Sequence, residues 1–462
     1  MELYKIRNRE NLRFILTVQY INVFIAVLLF IINSIESVFS YVFFSYYLIL
    51  SFIYITFLSV RIFALFSAFN LFLLGYFIFQ VSALFVSLDT LLERNLMNTF
   101  FMFSEEQINI TLCSNLVILH SMFLGCLSSV LYLPVKNNKI SSSILNSDRL
   151  QKWGYFIFCF FLPFTLFKFF MEIKLVLTEG YYAYYTSSLS IPFFISISRF
   201  FFEFGFFIFL SSLPSKKKFL SVSKIYLLVI SLFFLIGVRN RAVLSFLFVL
   251  WFYYRFYANK PPKLIFMLSV AVVCIVILLL VQLFRQSGVF LLDDNRSIFN
   301  YFFYAQSTNF YILPLLQYYN LQSDIPFVFA PIFNLDTGYY DANGMSNLLG
   351  NAVAYNISVE GFREGHGLGS SFIAELYDMG LVFMSVFSII LGYFIGWFER
   401  KVTQNRTYLI VSFYVITNCI YISRSSLLRN IYMFLFIILF AAILLKIKYP
   451  FKANRNEYTA CV

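Results

Sequence analysis

Charge is what this sequence has least of. Only 12% of its 462 residues are Asp, Glu, Lys or Arg, while 61% are hydrophobic. A soluble domain carries about a quarter charged residues. Half that supply excludes a water-soluble protein of this size and makes the bilayer its solvent. Histidine is scarcer still, with two in the chain, His120 and His366. The six cysteines (Cys113, Cys126, Cys159, Cys274, Cys419 and Cys461) fall in or beside apolar runs or in the tail. None lies in the long polar stretch, which speaks against a disulfide framework and a zinc site. The sequence lacks a P-loop, a dinucleotide fingerprint, a zincin helix and a serine-nucleophile elbow. The enzymes those motifs mark are therefore disfavoured, as are nucleotide-driven pumps, and no cofactor or metal is expected. A cleavable signal peptide is also missing: residues 14–32 are long enough to span and lack a small-residue cleavage pattern. The net charge of +12 comes without a long basic run, so no nucleic-acid partner is expected. The cations flank apolar runs and read as topology determinants facing an anionic leaflet.

Aromatic side chains are abundant, with 64 Phe and 33 Tyr. AT-rich codon usage accounts for such a surplus, and so do aromatics at membrane interfaces and sugar-facing surfaces. Runs long enough to cross a bilayer occur near 14–32, 38–60, 62–88, 112–133, 154–177, 191–213, 225–238, 242–257, 264–284, 370–397, 408–423 and 430–448. The expectation is an all-α, polytopic membrane protein of about twelve helices forming a single membrane domain over 1–462. Lys5, Arg7, Arg9 and Arg13 put the N-terminus inside. Alternation then brings Lys136, Lys139, Lys216, Lys217, Lys218, Lys260, Arg400, Lys401 and the tail at 449–462 to the same side. The uncharged stretch 298–319 is read as interfacial or re-entrant, with Pro314 breaking its helix. One long extracytoplasmic loop, 285–369, remains, and its length marks it as functional.

The outer face should be poor in positive charge, yet it carries Arg94, Arg239, Arg241, Arg285, Arg296, Arg363, Arg424 and Arg429. No lysine appears in these outer segments. Arginine's planar fork binds phosphate oxygens bidentately, so the set suggests a diphosphate-lipid site. Snorkelling or pairing with Glu360 and Glu364 is the bland alternative for any one of them. Arg239 and Arg241 stand in a polar break between two apolar helices, and Arg424 and Arg429 flank a similar turn. The run EGHGLGSSFIAELYDMG opens the tenth span. Its glycines allow a close approach of backbone to ligand, and Ser370 or Ser371 is a plausible N-cap aiming a positive helix end outward. Glu375 and Asp378 share a helix face. An acid at that depth is either functional or paired with an arginine. His366 stands beside this motif as a base or hydrogen-bond partner, whereas His120 reads as structural. Asp293 and Asp294 lack a third metal ligand and read as loop residues.

The G-x-R turn (Gly237, Val238, Arg239), the long outer loop and the Ser370-to-Gly380 segment together resemble the O-antigen polymerases, the Wzy-type oligosaccharide repeat-unit polymerases. The paired arginine-to-glycine loop motif described for some members is not recognisable here. The resemblance implies a GT-C-like glycosyltransferase in a bacterial inner membrane, its active site facing the periplasm. It implies metal-independent, inverting transfer of the growing glycan from undecaprenyl diphosphate to an incoming lipid-linked repeat unit. Fixed arginines would then stabilise the leaving diphosphate, with His366 or Glu375 as the base. Membrane lipids and a chain-length regulator and flippase of the same pathway are the implied partners. An O-antigen ligase uses the same donor and is the nearest alternative. A lipid-linked oligosaccharide flippase is a further one, although the chain lacks two related halves.

Overall fold

A computed structural model describes residues 9–86, 91–132, 148–181, 183–186, 191–258, 298–323, 326–333, 348–364, 366–428 and 431–446, with scattered positions between 260 and 279. Arg285, Arg296, Arg429, Asp293, Asp294, Gly365 and the tail from 449 lie outside the described residues. Long helices dominate: α1 (Arg9–Ile35), α2 (Tyr41–Ile62), α3 (Ala68–Phe79), α4 (Glu105–Tyr132), α5 (Asp148–Glu179), α6 (Phe193–Ser211), α7 (Lys216–Ser231) and α8 (Arg239–Phe256). A two-stranded hairpin, Glu93–Leu96 and Thr99–Met102, sits between α3 and α4. Short helices α9 (Ile298–Gln306), α10 (Ile312–Tyr318), α11 (Leu349–Ile357) and α12 (Phe372–Asp378) precede α13 (Leu381–Lys401), α14 (Arg406–Tyr421) and α15 (Ile431–Lys446).

Seven helices among the described residues are long and apolar enough to cross a membrane, and this is a polytopic all-α membrane protein. The run expected at 225–238 is short by hydropathy alone, but the helix begins nine residues earlier, in the basic turn at Lys216, and Lys216–Ile236 reaches crossing length. The expected tenth span, 370–397, is divided. Gly380 adopts φ 84°, a left-handed conformation that glycine tolerates and other residues resist. The crossing helix is therefore Leu381–Lys401, and α12 stands apart from it.

The core is built around α4, the most buried of the crossing helices. It packs against α1, α2 and α13. A Cβ at Gly125 would stand 1.9 Å from the Ile389 carbonyl oxygen, and one at Gly392 would stand 2.0 Å from that of Met122. Only glycine lets these two backbones meet, and small residues drive helix packing where lipid removes the hydrophobic force.

Two polar knots fix the ends of the bundle. At one end the Glu399 carboxylate accepts the Ala68 amide at 2.7 Å, which caps α3. Arg255 lies 3.7 Å from the same carboxylate and donates to the Glu399 carbonyl at 2.9 Å. Arg400 donates to the Val130 carbonyl at 2.6 Å. The C-terminal ends of α4, α8 and α13 therefore meet the start of α3. At the opposite end Gln80, just past α3, donates to the Ser423 carbonyl at 2.9 Å and to the Ser371 hydroxyl at 3.4 Å. That second knot holds the candidate site.

Stretch 298–319 folds as α9, a 3-10 turn over Ser307–Tyr311, and α10. Its break is this turn, and Pro314 sits inside α10. Residues 310–316 are buried and pack against α4 and α12.

Candidate functional site

Glu375 is wholly buried, and no arginine pairs with it among the described residues. One carboxylate oxygen accepts the Ser370 hydroxyl at 2.7 Å and the other accepts the Leu427 amide at 2.9 Å. The acid thus ties the start of α12 to the turn that carries Arg424. Arg424 is half-buried, donates to Gln306 at 2.9 Å and lies 5.4 Å from the Phe79 ring centroid. Asn309 donates to the Ser370 carbonyl at 2.8 Å. Four separate stretches of chain converge here: the end of α3, the 3-10 turn at 307–311, residues 369–375 and residues 422–427.

A carboxyl group removed from water resists ionisation. Burial pushes Glu375 up to about 7, with the Leu427 amide and the Ser370 hydroxyl pulling the other way. α12 lies outside the candidate membrane-crossing helices. The acid therefore changes protonation state near neutral pH. Asp378, on the exposed side of α12, accepts the Phe327 amide at 3.2 Å.

Ser371 occupies the N-cap position of α12, but its side chain does not bond to a helix amide. The expected outward-facing helix end reduces to a seven-residue helix whose serines serve Glu375 and Gln80 instead. Gly369 is where close approach matters. A Cβ there would stand 2.6 Å from Asn309 Nδ2 and 3.0 Å from the Arg424 carbonyl oxygen. Gly369→Ala is expected to cost about 1–3 kcal/mol by overpacking and to displace Arg424. Glycan ladder length compared at matched protein level checks this.

The other arginines expected on the outer face separate into different environments. Arg94 is buried, donates to the Tyr304 carbonyl and stacks on Tyr304, its guanidinium 3.4 Å from the ring centroid. It clamps the hairpin to α9. Arg239 and Arg241 open α8, with Arg241 exposed and 5.6 Å from the Phe233 ring. Arg363 is exposed on the short turn Val359–Arg363. His366 is partly exposed, with Nε2 at 3.8 Å from Glu364. His120 is buried between α1, α2 and α4, bonded to Gln19 at 3.0 Å and Ser51 at 3.1 Å.

The sequence reading missed a group of charged residues inside the spans. Arg199 of α6 forms a buried ion pair with Glu172 of α5. Lys168, Glu203 and Arg241 lie within electrostatic reach of that pair. Lys168–Glu172 and Arg199–Glu203 each stand four residues apart in an apolar run, a spacing that places each pair on one helix face. That spacing was the available signal.

An acid and an arginine folded together at one end of a helical bundle give this membrane protein a polar site fed by four stretches of chain. The chain belongs to the O-antigen polysaccharide polymerase Wzy family, whose model matches residues 17–454. No curated protein and no solved structure gives a significant match. Membership makes it an O-antigen polymerase of the glycosyltransferase type, acting on lipid-linked oligosaccharide repeat units.

Proposed function

We propose that this polymerase works on the periplasmic face of a bacterial inner membrane and transfers the growing glycan from undecaprenyl diphosphate to an incoming lipid-linked unit. An acceptor hydroxyl attacks the anomeric carbon opposite the leaving group. The new glycosidic bond forms as the bond to the diphosphate breaks, so the configuration inverts, and arginines rather than a metal offset the charge on the leaving group. The proton passes through Ser370 to Glu375, and negative charge develops on the departing diphosphate. Arg424 stabilises that charge more in the transition state than before it. Arg239, Arg241, Arg285, Arg363 and Arg429 are assigned to the diphosphates of the two substrates, and His366 to a hydrogen bond with the acceptor sugar. Twelve crossings with both termini inside, and residues 285–369 outside, belong to the same proposal.

The observation that carries this reading is the bond from Glu375 to the Leu427 amide, three residues beyond Arg424. A proton acceptor and a phosphate-binding cation thereby share one rigid unit. Deleting the gene in its own strain tests the function. A single repeat unit capped on lipid A core is expected. Loss of all capping would instead assign the ligase reaction, and inward accumulation of lipid-linked units would assign a flippase.

A further inference from the structure

The charged group between α5, α6 and α8 is unlike an ordinary structural ion pair. Three cations, Lys168, Arg199 and Arg241, stand against two carboxylates, Glu172 and Glu203. Charge within a membrane span is costly unless it is matched, and among the described residues of this group one positive charge exceeds the acids. Arg199 is 7% exposed, and its Nε has no hydrogen-bond partner among the described residues. Its guanidinium lies 4.5 Å from both the Phe169 and Phe233 ring centroids, which fixes the plane of the fork. Lys168 reaches the Ser196 carbonyl at 2.5 Å, in the first turn of α6.

The group stands at the same end of the bundle as Arg424. Phe413 of α14 packs between Phe207 of α6 and Phe248 of α8. From that layer Arg199 and Arg241 lie roughly 10–12 Å toward the starts of α6 and α8, at a helical rise of about 1.5 Å per residue. Arg424 lies past Phe413 toward the end of α14. Beside the charges is an apolar wall: Phe164 packs on Phe194 at 4.9 Å, and Phe160, Phe167 and Phe193 are exposed.

We propose that Lys168, Arg199 and Arg241 bind the diphosphate of a polyprenyl-linked substrate, with Glu172 and Glu203 positioning the cations and the phenylalanines receiving the prenyl chain. This inference rests on the proposed function and adds residues to it. Glu172 is a positioning residue, since it acts through Arg199. The excess cation and the neighbouring aromatic wall together ask for an anion attached to a lipid tail.

The test measures binding of geranylgeranyl diphosphate to the purified full-length chain in detergent, with polymerisation assayed on the same preparation. Glu172→Gln combined with Arg199→Gln replaces the ion pair by an uncharged one of similar volume, so folding is retained. Lys168→Met is the second, independent variant. Each is expected to weaken binding at least tenfold while the thermal unfolding midpoint holds. Wild-type affinity in both variants would overturn the proposal. Inorganic pyrophosphate should compete, and excess phosphatidylglycerol should not. Equal competition by phosphatidylglycerol would assign the site to ordinary phospholipid and overturn it too. Polymerisation with unweakened variants sinks this inference alone, whereas cation-dependent binding without polymerisation sinks the proposed reaction and leaves the site standing.

Discussion

Glu375→Gln is expected to abolish long glycan chains while leaving the protein fully abundant. Its amide oxygen can accept the Leu427 amide, and its nitrogen can donate to Ser370, whose hydroxyl turns to accept. The Leu427 amide keeps its acceptor and Ser370 keeps a partner, so the fold is expected to lose little. Activity should fall by about 10²-fold or more, the usual loss on removing a general base. Glu375→Asp keeps the charge and should retain a fraction. Stability follows from linkage. Burial raises the carboxyl from its ordinary value of 4.5 to about 7, so the folded protein holds a proton that the unfolded chain releases. The stability from that proton is complete below about 4.5 and is lost as pH rises through about 7, roughly 3 kcal/mol in all. Glutamine escapes this loss, so at pH 8 the variant should unfold at a temperature equal to or above that of wild type. Wild-type activity should follow the opposite course, rising with pH through about 7 as the base is freed. A low protein level for Glu375→Gln would give the residue a structural role instead.

Arg424→Ala should bring the second large loss, about 10²–10³-fold in polymerisation, the scale of removing one fixed donor from a developing charge. Lysine at 424 should recover only part, because a point charge cannot reproduce the bidentate fork or the contact with Gln306. Arg94→Ala is the contrasting control. Its guanidinium is buried against Tyr304 and Tyr311, so its loss should lower protein abundance rather than turnover. Blotting for protein and staining the glycan ladder separate the two effects. Full activity in Arg424→Ala would remove that residue from the diphosphate site.

Membrane character is written in the composition, because length and apolarity alone carry a helix such as α1 or α13 across a bilayer. The break at Gly380 is harder to see. Apolar residues continue on both sides of it, and a single positive φ has no hydropathy signal. The 3-10 turn at 307–311 is equally silent. At the site, Glu375 and Arg424 were each visible as costly charges near span ends. Their union was not, since the link runs through the backbone amide of Leu427, which any residue supplies. Arg94 reads in sequence as one more outer cation, and only the packing of Tyr304 on it reveals a clamp. Lys168, Glu172, Arg199 and Glu203 illustrate the reverse: their four-residue spacing is legible in sequence, but only the fold brings the two helices' pairs together.

On the proposed mechanism this chain joins lipid-linked repeat units by itself, with Glu375 taking the proton. Purified protein incubated with undecaprenyl-diphosphate-linked repeat units and a chelator is the direct measurement. A ladder of lengthening glycans, with release of undecaprenyl diphosphate, is expected from wild type and should be absent from Glu375→Gln. An unextended substrate with wild type, or extension that stops with chelator and resumes with magnesium, would contradict the account.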